Sequence, residues 1–199
     1  MKRLAIGLSV SLLALCGGVA HAAILTYSST LSGLNEAPPN PSPATGQTTV
    51  LIDDVTNLMT VNASFSNLTG TTTASHIHCC TTAPFTGTAG VATSLPTFPL
   101  FPLGVTSGSY TETFDLLNLA TYNSAFVTGN GGNVGSARLA LLAGLASGRA
   151  YLNIHTTAFP SGEIRGFLTE VPEPGSIALF GLGALGLAGL QRRRAYARA

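Results

Sequence analysis

In the central part of this 199-residue chain, Gly, Pro and Asn interrupt the apolar and polar runs at close intervals. Runs this short suit β-strands and leave little room for long helices. Residues 59–65 alternate apolar with polar side chains, as a strand with one buried and one solvated face does. The pattern predicts strands at 24–34, 47–52, 58–65, 73–79, 109–114, 149–155 and 162–169.

Helical periodicity is confined to 136–146, where Leu139, Leu142 and Leu145 recur at helical spacing. Residues 84–103 carry repeated Pro and Phe and are predicted to form a loop. About 150 residues remain once two terminal segments are set aside, which suits one domain with a sizeable core. We predict an all-β fold, an antiparallel Greek-key β-sandwich or barrel with one short helix.

Charge is concentrated at the two ends of the chain. Six of the nine basic residues lie there, and 23–171 carry three basic against seven acidic residues, a net charge of −4. A mildly acidic domain with no basic patch argues against nucleic-acid binding.

Residues 1–22 have the three-part layout of a secretory signal peptide, with a predicted signal helix. Lys2 and Arg3 precede an apolar stretch at 4–18, and Ala20 and Ala22 occupy the positions that signal peptidase reads. We expect the Sec machinery to export the chain and signal peptidase to cleave before Ala23. A retained transmembrane anchor is the alternative, but the apolar stretch is short for that purpose.

The C-terminal segment 171–199 combines a turn motif, an apolar stretch and a basic cluster. The stretch at 176–190 is free of charge, and a helix there would be about 23 Å long, slightly short of the hydrocarbon core of a bilayer. It could span with local thinning, and the basic cluster should stay cytoplasmic, which places the domain outside. That cluster is Arg192, Arg193 and Arg194.

The same segment resembles the PEP-CTERM sorting signal, in which a short motif precedes an apolar helix and arginines. The motif residues are Val171, Pro172, Glu173 and Pro174. The resemblance implies a Gram-negative exported protein whose tail is recognised, and removed, by an exosortase-type protease in the membrane. The mature protein would then be free of the membrane, tethered at the cell surface, or released into an extracellular matrix.

Three pieces of 23–170 resemble the CHRD domain, named from chordin and also found in bacterial secreted proteins. They are residues 31–39 with 44–46, residues 74–78, and residues 145–166. The third piece contains the run Ala150-Tyr151-Leu152-Asn153-Ile154-His155-Thr156 and ends on Gly162-Glu163-Ile164-Arg165-Gly166. The resemblance implies an extracellular β-domain of poorly defined biochemistry.

Three histidines are the candidate metal ligands. His76 and His78 are two residues apart in a predicted strand, so both rings project from one face while Ile77 points to the other. His155 should face the same way from another strand, and three imidazoles could hold Cu or Zn. We expect this face to be solvated. The alternative is structural, with the rings hydrogen-bonded to backbone and to acids such as Glu163.

Two further features are open to more than one interpretation. Glu163 and Arg165 share a strand face and predict a local ion pair or a separate partner for each. Cys79 and Cys80 could form a vicinal disulfide, pair between chains, remain thiols, or add a thiolate ligand beside His78.

Two classes of function remain. The chain contains no G-x-S-x-G, phosphate-loop or H-E-x-x-H motif, so we expect a non-enzymatic surface or matrix module that binds a protein or a polysaccharide. The alternative is a metal-binding protein of the periplasm or extracellular space. Convergence of the ring nitrogens of His76, His78 and His155 on one point would favour that alternative.

Overall fold

The computed structural model describes residues 24–172 and Gly183. In chain order the strands are β1 Ile24–Ser32, β2 Thr45–Asp53, β3 Leu58–Ser66, β4 Thr72–Cys79, β5 Gly108–Asp115, β6 Ala150–Thr156, β7 Ile164–Phe167 and β8 Thr169–Glu170. Two α-helices, α1 Ser124–Gly129 and α2 Val134–Ala146, lie between β5 and β6. Short 3-10 turns occupy Gly33–Asn35 and Leu119–Thr121.

All strand pairs are antiparallel and belong to one sheet in the order β4-β6-β7-β1-β2-β3-β5, with β8 paired to β1. The sheet forms a half-barrel, which confirms the all-β class. The single continuous sheet does not form the two packed layers of a sandwich, and its half-barrel shape is closer to the barrel alternative.

The core lies on one face of this sheet, as the in-phase alternation of buried and exposed residues in β2 and β3 shows. Val50, Ile52, Met59 and Val61 are fully buried, and the residues between them reach solvent. Each residue of β2 pairs in register with β3, from Thr45 opposite Ser66 to Asp53 opposite Leu58. The period-2 pattern of the sequence therefore sets both the pairing and the core face.

A long connection at 80–107 runs between the two outer strands of the sheet, β4 and β5. Phe98 donates its backbone N–H to Ser75 on β4 at 3.0 Å. The ring of Phe98 stacks on Tyr110 of β5, with 5.6 Å between centroids, and the Tyr110 hydroxyl donates to the Pro99 carbonyl at 3.0 Å. This connection covers the edge of β4 that would otherwise have unpaired backbone groups.

The helical region contains the predicted helix and one more. A second helix, α1, was not expected, and its start is fixed by the Asn123 side chain, which accepts from the Ala125 N–H. In α2 the buried residues include Ala137, Leu141 and Leu145, while Leu139 is 63% exposed. Leucine spacing located this helix, but its buried residues include the small Ala137 and Gly144 and exclude Leu139.

Several predicted segments lie outside the described residues. They are the signal peptide with Ala20 and Ala22, the motif residues Glu173 and Pro174, the helix at 176–190, and Arg192, Arg193 and Arg194. Val171 and Pro172 are described, and both are exposed. Across 24–172 and Gly183, none of the helices has the length and apolar character needed to cross a membrane.

Candidate metal centre

His76 and His78 on β4 share a sheet face with His155 on the neighbouring strand β6. In the register of these strands His155 lies opposite Ala74, His76 opposite Asn153 and His78 opposite Tyr151. The three ring centroids are 5.3 to 5.8 Å apart. Residues on the other face of the same strands, Ile77, Leu152 and Ile154, are fully buried in the core.

One nitrogen of each ring is hydrogen-bonded to a backbone carbonyl. His76 Nε2 lies 2.6 Å from the Pro96 oxygen, His78 Nδ1 lies 2.9 Å from the Ala89 oxygen, and His155 Nδ1 lies 3.0 Å from the Pro160 oxygen. A carbonyl only accepts, so each of these nitrogens carries the proton and the tautomer of each ring is assigned.

The other nitrogen of each ring has a free lone pair. His76 Nδ1, His78 Nε2 and His155 Nε2 are buried and have no hydrogen-bond partner within the described part of the chain. The ligand atoms of the three rings lie within 4.8 Å of one another. Metal-binding histidines commonly donate their second ring N–H to a carbonyl or carboxylate, which orients the ring. The arrangement fits a three-coordinate nitrogen site for a transition metal.

Burial keeps these rings neutral at ordinary pH. It lowers the pKa of His78 to about 4 against the opposing hydrogen bond to Ala89, with smaller lowering by the charges of His155, His76 and Arg165. Burial also lowers the pKa values of His76 and His155. Neutral imidazole is the form that ligates a metal, so the site has its ligands ready without prior loss of protons.

Residues 27–168 match the CHRD domain, which is most of the chain. The chain belongs to the CHRD domain family. Residues 170–194 match the PEP-CTERM protein-sorting motif, which implies export to the cell envelope or surface and processing by exosortase-type machinery. No curated protein and no solved structure matches the chain.

The histidine face of the CHRD domain is not solvated, contrary to the expectation from sequence. His76 and His78 are 5% and 8% exposed, and His155 is half-buried. The covering segments are those that supply the carbonyl partners, the 80–107 connection and the turn between β6 and β7. Strand alternation predicts which side chains share a face, but a loop that later covers that face leaves no periodic signal.

Glu163 of the CHRD domain bonds neither to the histidines nor to Arg165. Its carboxylate accepts four hydrogen bonds, from the hydroxyls of Ser42 and Thr156 and from the backbone N–H groups of Thr69 and Gly70. Burial raises its pKa, but the four donors outweigh that effect and hold the pKa below the ordinary value. Glu163 therefore ties four segments of the domain together as a buried carboxylate.

Arg165 instead pairs with Glu36, and sequence reasoning about the strand face missed this partner. Arg165 Nε lies 3.8 Å from Glu36 Oε2, and both side chains are buried. Glu36 falls within residues 31–39, which resemble the CHRD domain, and this resemblance was the one sequence feature that pointed to Glu36. Asn153 lies opposite Arg165 on β7 and opposite His76 on β4, so it separates this pair from the histidines.

Cys79 and Cys80 form a vicinal disulfide in the CHRD domain. A Cβ added at Gly144 of α2 would collide with both sulfur atoms, so the disulfide contacts the helix. Cys79 alternates with His78 along β4 and points to the opposite face. Bonded to each other on that side of the sheet, the two sulfurs are not available as thiolate ligands beside His78.

Proposed function

We propose that this exported CHRD-domain protein is a non-enzymatic module that holds one Cu or Zn ion through His76, His78 and His155. The observation that carries the proposal is a cluster of three rings that each offer one ligand nitrogen within 4.8 Å of the others, and that each have one buried nitrogen with no hydrogen-bond partner among the described residues. Each belongs to a ring whose other nitrogen is held by a backbone carbonyl.

A purely structural role for the histidines accounts for only one of the two nitrogens in each ring. The carbonyl bonds satisfy one nitrogen per ring, and each remaining buried acceptor costs about 1–3 kcal/mol if left without a donor. A single water molecule donates two hydrogen bonds, so it would leave one of the three nitrogens unsatisfied. One metal ion accepts all three lone pairs at once.

The donor set favours Cu or Zn among the common metals. Imidazole nitrogen suits both metals, whereas Mg and Ca prefer oxygen ligands, and this cluster contains no carboxylate. Three protein ligands leave a coordination position open for water or a small molecule. The lack of catalytic motifs in the sequence supports a role in holding the ion rather than in hydrolysis.

Metal titration of the purified protein, freed of metal with a chelator, tests the proposal. Wild type should bind one Zn(II) or Cu(II) per chain in calorimetry, and His155→Ala should weaken binding at least about 100-fold because one of three ligands is lost. Leu139→Ala, which changes an exposed residue of α2, serves as the control and should bind as wild type does. A wild type that takes up no metal, or His155→Ala binding unchanged, would contradict the proposal.

The pH dependence of binding follows from the lowered pKa values. Protons compete with the metal only below the pKa of each ring, and burial sets these below the ordinary value near 6.5. Histidines with ordinary pKa values would lose the metal as the pH falls through about 6.5. In the folded domain we expect binding at pH 6 close to that at pH 7.5, and loss as the pH approaches 4.

The terminal segments support a proposal about topology. With the tail intact, the domain lies outside the inner membrane and Arg192, Arg193 and Arg194 lie in the cytoplasm. Protease added to spheroplasts should digest the domain and spare the arginine end, and deletion of the exosortase should leave a longer chain in the membrane. Protection of the domain from protease would show that the orientation is wrong.

A further inference from the structure

A pocket lies on the same face of the sheet as the three histidines, and Tyr151 stands between the histidines and the pocket. Tyr151 is on β6, the strand between β4 and β7, and its ring stacks on His78 with 4.8 Å between centroids. The Arg165 guanidinium lies 4.6 Å from the centroid of the same ring. Beside Arg165 opens a pocket of about 460 Å³, lined among others by Leu34, Glu36, Phe85 and Phe167.

Arg165 lines this pocket and is held in place by two backbone carbonyls. It is 4% exposed, its Nη1 donates to the Gly87 carbonyl at 3.0 Å, and its Nε donates to the Asn35 carbonyl at 2.5 Å. The flat guanidinium also lies 5.6 Å from the Phe167 ring centroid. A planar cation fixed in this way is prepared to meet a planar anion.

Glu36 neutralises this cation only in part. Its Oε2 is 3.8 Å from Arg165 Nε, beyond hydrogen-bond distance, and its buried Oε1 has no partner among the described residues. Burial raises the pKa of Glu36 to about 7, although the Arg165 charge and the Ala37 N–H oppose the rise. Near neutral pH, Glu36 is therefore about half protonated.

No other charged residue lines the described pocket. The titratable group that faces Glu36 is Arg165 from β7, and the facing residue of β6 is Asn153, which does not titrate. The neighbouring loop segments 85–87 and 158–162 contain no titratable side chain. An anion in the pocket would meet the Arg165 charge and, when Glu36 is protonated, a neutral carboxyl group in place of a like charge.

We propose that this pocket binds a carboxylate carried on a single six-membered ring. The carboxylate accepts hydrogen bonds from Arg165, protonation of Glu36 removes a like charge beside it, and the ring packs on Phe85, whose side chain is 57% exposed. The pocket volume accommodates one such ring with room to spare. None of the three histidines lines this pocket, so binding of the acid can be tested without the metal.

Two sources present this chemistry: a uronic acid residue of a polysaccharide and a free aromatic or cyclic acid. Calorimetry of the metal-free protein with D-galacturonate, tri-galacturonate and benzoate distinguishes them. Tighter binding of tri-galacturonate than of the monomer indicates the polysaccharide, and equal or weaker binding indicates the free acid. The uncharged methyl ester of galacturonate should bind at least about tenfold more weakly than the acid.

The affinity should rise about tenfold between pH 8 and pH 6, because the protonated fraction of Glu36 rises by that factor around a pKa of about 7. Glu36→Gln, which is uncharged at either pH, should keep the affinity that wild type shows at pH 6 and lose its pH dependence. Leu34→Glu places a charge at the exposed mouth and should weaken binding, whereas the matched Leu34→Gln should not. An ester that binds as well as the acid, an affinity that falls on acidification, or no saturation by any of these acids would overturn the proposal.

Discussion

Replacing His78 by Asn in the metal-free protein should change the pH dependence of its stability. The Asn amide can still donate to the Ala89 carbonyl that the His78 ring contacts at 2.9 Å, but it does not titrate. His78 is 8% exposed and its ring stacks on Tyr151, so protonating it places a charge in a site closed to water. Burial is the main cause of its low pKa, about 4.

The size of the effect follows from linkage between protonation and folding. The pKa of His78 is about 4 in the folded domain against about 6.5 in the unfolded chain, and a difference of about 2.5 corresponds to about 3 kcal/mol. The folded-state pKa is depressed, so this contribution is fully present above pH 6.5. It is lost as the pH falls from about 6.5 towards 4, because the unfolded chain takes up the proton first.

Urea unfolding of wild type and His78→Asn at pH 7.5, 5.5 and 4.5 measures the difference directly. The stability advantage of wild type over the variant should shrink by about 2–3 kcal/mol across this range. Glu36, whose raised pKa favours the folded state on acidification, acts in the opposite direction but cancels because both proteins contain it. A difference that stays constant with pH would refute the reasoning.

Three further outcomes are expected. Gly144→Ala should lower the free energy of unfolding by about 1–3 kcal/mol because the new Cβ collides with the disulfide. Gly129→Ala places its Cβ in open space and should change the free energy of unfolding little; urea unfolding of both variants measures the difference. Glu163→Gln should cost at least about 2 kcal/mol in the same assay, because an amide nitrogen cannot accept from the donors that the carboxylate satisfies. Replacing Arg192–194 together by Ala should weaken membrane retention, measured by fractionation.

The strands were predictable because their information is local. All seven predicted strand segments overlap observed strands, and β3 begins at the predicted residue, Leu58. Turn residues and period-2 alternation act over a few positions, so strands can be predicted from them without knowledge of the fold. The same alternation correctly grouped His76 with His78.

What covers each face was not predictable, because it depends on contacts between distant parts of the chain. Pro96 and Ala89, which hold His76 and His78, come from an irregular connection whose path over β4 has no periodic signature. Glu36 reaches Arg165 across 129 positions of sequence because β1 pairs with β7. The sequence therefore identified the three candidate ligands but not their burial, and it is burial that sets their pKa values.

The pairing of β8 with β1 also determines how the domain responds to a pull on its C-terminal tail. Val171 donates to Thr26 at 2.7 Å, and Glu170 and Thr169 pair with Tyr27 and Ser28. Tension applied beyond Val171 reaches these few bonds first and can peel them away one at a time. Leu168 should resist further peeling, because it is fully buried and bonded to Ala150 on β6. A protein held by its tail can thus lengthen by a few residues under load while the sheet that carries the histidines stays intact.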